Sequence, residues 1–90
     1  MSFPNKIDDA IVLFYTPLGC YGTVSCTTGE VVDSICYFAI CKYENDESFY
    51  LFGCNNAYET VSDSLWESAE RCMRIAENSY GDVISWIVNT

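Results

Sequence analysis

Residues 31–43, Val-Val-Asp-Ser-Ile-Cys-Tyr-Phe-Ala-Ile-Cys-Lys-Tyr, form the strongest β segment of the chain and restrict its fold most. Ile35, Tyr37, Ala39 and Cys41 face one way, while Cys36, Phe38 and Ile40 face the other. Both faces are largely apolar, so the segment belongs in the middle of a sheet covered on both sides for much of its length. The charged turn Glu44-Asn45-Asp46-Glu47 follows. Then comes a second β segment, residues 48–54, in which Phe49, Leu51 and Gly53 oppose Tyr50 and Phe52. Two strands around a four-residue polar loop predict an antiparallel hairpin.

The remaining segments arrange themselves around this hairpin. Residues 10–15 (A-I-V-L-F-Y) are β-branched and aromatic and stop at Pro17, which reads as a strand. Residues 17–22 hold a proline and two glycines and read as a turn. Residues 21–27 alternate loosely and read as an irregular edge strand, closed by the turn Thr27-Thr28-Gly29. Residues 55–60 read as a loop leading into a helix. Two N-caps compete: Ser64, with Glu67 three residues on as in a capping box, and Ser68. Cys72, Met73, Ala76 and Tyr80 recur at helical spacing, and Gly81 stands where a left-handed C-terminal residue is wanted. Glu67 with Arg71 and Glu70 with Arg74 are favourable i,i+4 pairs. Residues 83–88 read as a last strand or a packed tail. The expected fold is a single α+β domain over residues 1–90. It has a mostly antiparallel sheet of about four strands, with one helix from the C-terminal half packed on one face, in two layers.

Charge and composition narrow the function. Thirteen Asp and Glu against four Lys and Arg give a net charge of −9 in ninety residues. That balance disfavours nucleic acid and anionic membrane surfaces, because phosphate contacts need Lys and Arg. It favours a basic partner or high solubility. There is no histidine, which removes Ser-His-Asp and Cys-His catalysis and the usual proton shuttle at neutral pH. No nucleophile elbow, phosphate-binding glycine loop or dinucleotide fingerprint is present. The chain reads as a non-enzyme without metal or cofactor.

The six cysteines, Cys20, Cys26, Cys36, Cys41, Cys54 and Cys72, show no C-x-x-C spacing. Most lie in or beside apolar runs, where cysteine behaves as a small hydrophobe. They read as reduced, mostly buried thiols of a cytoplasmic protein, with a disulfide-bonded secreted domain as the alternative. The apolar run at residues 10–15 is short and follows Asp8 and Asp9, unlike a signal peptide. No window approaches the length of a membrane helix.

Each candidate contact has a plainer reading beside it. Asp8 and Asp9 read as a solvated strand entrance or a contact for a basic partner. Glu44, Asp46 and Glu47 crowd a hairpin turn, either for solubility or as a knob of negative potential. Asn55, Asn56, Tyr58, Glu59 and Asp63 lie between hairpin and helix, where Tyr58 either meets a partner or packs beneath the loop. Trp66 and Trp86 read as core. Lys42 reads as a local partner of Glu44 or Glu47.

Four stretches carry a resemblance: Phe38-Ala-Ile-Cys-Lys-Tyr43, Phe49-Tyr-Leu-Phe-Gly-Cys54, Asp63-Ser-Leu-Trp-Glu-Ser68, and Ala76-Glu77 with Tyr80-Gly81 and Trp86. Together they resemble small bacterial immunity proteins encoded beside polymorphic or contact-dependent-inhibition toxins, over roughly residues 36–86. The chain departs from that pattern at Asn55, where an acid is expected, and at Ala57-Tyr58, where a tryptophan is expected. The resemblance implies helix capping by Ser68 and a stoichiometric inhibitor of a toxin. Combined with the charge, the expected function is binding and neutralisation of a cognate toxin of nuclease type by covering its basic active-site surface. The expected contacts are Glu44, Asp46, Glu47, Tyr58, Glu59 and Asp63, with Asp8, Asp9, Asp33 and the helix acids as rivals. The alternatives are a phage-encoded acidic mimic of nucleic acid that inhibits a nuclease, and an enzyme.

Overall fold

A computed structural model describes residues 3–25 and 27–89. Its strands are β1 (Lys6–Ile7), β2 (Ala10–Tyr15), β3 (Gly22–Ser25), β4 (Val31–Ile35), β5 (Tyr37–Lys42), β6 (Phe49–Cys54), β7 (Thr60–Trp66) and β8 (Ile87–Val88), with one helix, α1 (Ala69–Tyr80), between β7 and β8. The class is the expected α+β, with eight strands among the described residues where about four were expected. The main sheet runs β1-β2-β5-β6-β7, with β8 also paired to β2, and every pairing is antiparallel. β3 and β4 form a separate two-stranded sheet.

The long β segment at residues 31–43 is therefore two strands in two sheets. They meet at Cys36, whose N–H donates to the Cys54 carbonyl at 2.7 Å. The break changes the side-chain phase. Ile35 joins Phe38 and Ile40 on one face, rather than Tyr37, Ala39 and Cys41 on the other. β5 is the central strand, with Ala39, Ile40 and Cys41 fully enclosed. Thr16 extends the pairing of β2 beyond its last residue. Its N–H donates to the Phe38 carbonyl, and its buried hydroxyl accepts from the Phe38 N–H at 3.0 Å.

Helix and sheet meet through small residues. Cys72 and Ala76 of α1 are fully buried and pack with Phe38, Ile40, Leu51 and Ile84. Small side chains let the helix backbone lie close to the sheet. Ser68 is the cap: its Oγ accepts from the Arg71 N–H at 3.1 Å. Ser64 lies in β7 instead, where its Oγ accepts from Trp66 Nε1 at 2.7 Å. Gly81 ends the helix at φ 88, and its N–H donates to the Glu77 carbonyl. Of the two expected pairs, Glu67 and Arg71 stand 3.8 Å apart, the one ion pair among the described residues. Trp66 and Trp86 are half-buried against the same core.

The opposite face has small residues as its floor: Ala10, Ala39, Cys41 and Cys54, all fully buried. Phe3, Ile7 and the half-buried rings of Tyr15, Tyr37, Tyr43, Tyr50 and Tyr58 lie against them. Asn89 fastens the tail to this arrangement. Its N–H donates to the Leu13 carbonyl, and its Nδ2 donates to the carbonyls of Pro4 and Val12.

Gly53 leaves no room for a side chain between its strand neighbour and Ile35. A Cβ there would collide with the Oγ of its cross-strand partner Ser62 and press on Ile35 Cδ1 at 3.1 Å. Gly53→Ala is expected to lower stability by about 1–3 kcal/mol by overpacking. Adding Ser62→Gly should return part of that loss in urea unfolding; equal midpoints for Gly53→Ala and the parent would refute the account.

Candidate functional site

Two acidic turns, far apart in sequence, share one end of the main sheet. β1 and β2 form a hairpin whose two-residue turn is Asp8-Asp9, with φ of 49° and 69°. Positive φ at both positions is the backbone of a type I′ turn, in which Asp is among the tolerated residues. The turn between β5 and β6 carries Glu44, Asp46 and Glu47. Tyr43 connects the two: its hydroxyl donates to the Asp8 carbonyl at 3.0 Å. Asp8 and Asp9, read from sequence as rivals of the hairpin acids, are their neighbours.

Within this end, the acids do different work. Asp46 is half-buried; its Oδ1 accepts from the Ser48 N–H at 2.9 Å and its Oδ2 from the Tyr50 hydroxyl at 3.2 Å. The Ser48 N–H foremost, with the Tyr50 hydroxyl and Lys42 helping, holds the Asp46 carboxyl below the usual range. Tyr50 is pushed above the usual phenol range, first by desolvation and then by Asp46. Asp46 thus shapes the turn and orients Tyr50, whereas Glu44 and Glu47 are exposed. Lys42 lies on the opposite, helix-side face, with its Nζ 5.5 Å from the Phe49 ring centroid.

Tyr58 and Glu59 stand at the other end of β6, separated from the hairpin acids by roughly the 17–20 Å that six strand residues span. Tyr58 has φ 63 and stacks on Tyr37 at 5.1 Å, with its edge against Phe3 at 5.2 Å. Tyr37 is held above the usual phenol range, first by its hydrogen bond with Tyr58 and then by burial. The loop is organised by Asn55. Its Oδ1 accepts from the N–H groups of Ala57 and Glu59, and its Nδ2 donates to Asp33 Oδ2 at 3.1 Å and Glu59 Oε1 at 3.0 Å. Asp63, exposed on β7 opposite Phe52, lies between the two ends on the tyrosine-bearing face. The six expected contacts therefore form no single cluster. Glu44, Asp46 and Glu47 gather with Asp8 and Asp9, Tyr58 and Glu59 gather with Asp33, and Asp63 stands apart.

The three buried thiols are chemically quiet. Burial pushes Cys41 and Cys54 up to about 12 and Cys72 up to about 11, so all three stay protonated at neutral pH. Cys20 is exposed and Cys36 half-buried, and all five described cysteines are free. Cys26 lies outside the described residues. Among the described residues, no three Cys, Asp or Glu side chains converge as metal ligands would, and no helix is long and apolar enough to cross a membrane. Comparison of the chain with protein-family models, curated proteins and solved structures finds no match.

Proposed function

We propose that this chain is an immunity protein of the bacterial cytoplasm. It binds a cognate toxin of nuclease type and neutralises it by laying its acidic end over the toxin's basic, phosphate-binding surface. One observation carries the reading: Asp8, Asp9, Glu44, Asp46 and Glu47 are gathered at one end of the sheet beside Tyr43 and Tyr50, in a chain of net charge −9. Uncompensated charge of one sign steers an oppositely charged partner and raises the association rate. Tyrosines with a fixed ring and a polar tip are the residues that contacts of this kind favour.

The test uses exposed acids that hold no fold contact. Glu44→Lys with Glu47→Lys is expected to slow association with the basic protein captured from the native host by roughly 10–100-fold at low salt. Raising salt from about 50 to about 500 mM should slow the parent in the same way. The captured protein should be encoded by the adjacent gene and should carry toxin activity; a phage operon there would favour the nucleic-acid mimic. An association rate indifferent to both the substitutions and salt would overturn the proposal.

A further inference from the structure

The two edges of the main sheet are treated differently. β2 is covered along its outer side by β1 near one end and β8 near the other. β7 is the last strand on the opposite side; no other described strand pairs with its outer edge, and β4 of the separate β3–β4 sheet packs against β7 without pairing with it. At seven residues β7 is also the longest strand, and none of its residues is buried. Alternate residues of such a strand direct N–H and C=O groups outward, ready to pair. Thr-Val-Ser-Asp-Ser-Leu-Trp lacks the short length, proline and lysine that protect many edges; its register shift is confined to the Thr60–Ser62 end, and Asp63 is its one charge.

Charge selects the occupant. Asp63 is the midpoint of β7, with Glu59 and Glu67 just beyond its ends. In a centred antiparallel pairing of two copies, Asp63 would face Asp63, while the extra residue at Val61 breaks the register toward Glu59. Like charges directly opposite destabilise strand pairs, so the edge repels its own copy. Asp63 on the strand, with Glu59 and Glu67 beyond its two ends, suits an incoming strand that carries Lys or Arg. Leu65, 53% exposed on the same face as Asp63, suits an apolar residue of that strand.

We infer that β7 accepts a cationic β-strand of the partner, extending the main sheet across the complex by strand addition. This rests on the reading of the chain as a binder of a basic protein, and it names the element the partner contributes.

The probe is the nonapeptide Lys-Thr-Val-Thr-Lys-Thr-Val-Thr-Lys, titrated into the ¹⁵N-labelled protein. Amide shifts are expected from Glu59 to Glu67 and in the paired strand β6. Replacing the three lysines by glutamate should weaken binding about tenfold or more, and Asp63→Lys should invert that preference. A peptide N-methylated at alternate amides keeps its charge and should lose binding, because it is unable to complete the ladder. Equal binding by the N-methylated peptide, no binding, or shifts centred on the Glu44–Glu47 turn would overturn the inference. So would β7 shifts that follow protein concentration without peptide, which would assign the edge to a second copy. No toxin enters this experiment, so its failure is separable from failure of the association-rate test above.

Discussion

Asn55→Asp, which exchanges one amide NH₂ for an oxygen, is expected to cost about 3–5 kcal/mol at pH 7. The side chain is nearly enclosed, and its Nδ2 holds the carboxylates of Asp33 and Glu59 together. The substitution removes both donors and places a third carboxylate between the two. Such a loss lowers the melting temperature of a domain this size by about 15 °C or more. The sign of the pH dependence follows from the crowding. The new carboxyl would ionise in the fold only above its unfolded value near 4, so the deficit is small below about pH 4 and grows as pH rises. Thermal unfolding of parent and variant between pH 4 and 8 checks this. A variant as stable as the parent at pH 7 would show that the amide bridge contributes nothing.

Alkaline solution is expected to unfold the protein steeply. Cys41 and Cys54 keep their protons in the fold up to about 12, against an unfolded value of 9.0. Above about pH 9 the unfolded chain therefore holds fewer protons than the native one, and stability falls as pH rises. Each thiol contributes a slope of about 1.4 kcal/mol per pH unit, so the pair contributes about 3. Cys72, Tyr37 and Tyr50 are raised as well and act in the same direction. Urea midpoints at pH 8, 9, 10 and 11 should decline accordingly, and Cys41→Ala with Cys54→Ala should flatten the decline. In native protein at pH 8, iodoacetamide should reach Cys20 and leave Cys41, Cys54 and Cys72 until denaturant is added. An undiminished slope in the double variant would locate the alkaline sensitivity elsewhere.

Local chemistry made some elements readable from sequence and hid others. β2, β6 and the helix announce themselves through β-branched runs, period-2 alternation and an Oγ cap followed by helical spacing. β7 was hidden because Ser62, Asp63 and Ser64 interrupt its apolar residues, and because Ser64 with Glu67 imitates a capping box. The division of residues 31–43 had no glycine or proline to mark it. It is imposed at Cys36 by tertiary pairing with Cys54. Among the candidate contacts, each acidic turn was visible as a run, but the adjacency of Asp8 to Glu44 was not. Thirty-six positions separate them in sequence, and only the β1-β2-β5 order brings them together. The role of Asn55 was equally invisible, since both of its carboxylate partners are set by the fold.

Asn89 bonds to both Pro4 and Val12, so the first and last strands zip onto the same side of β2. Loss of either segment would therefore bare part of the outer side of β2 and leave its backbone groups without partners.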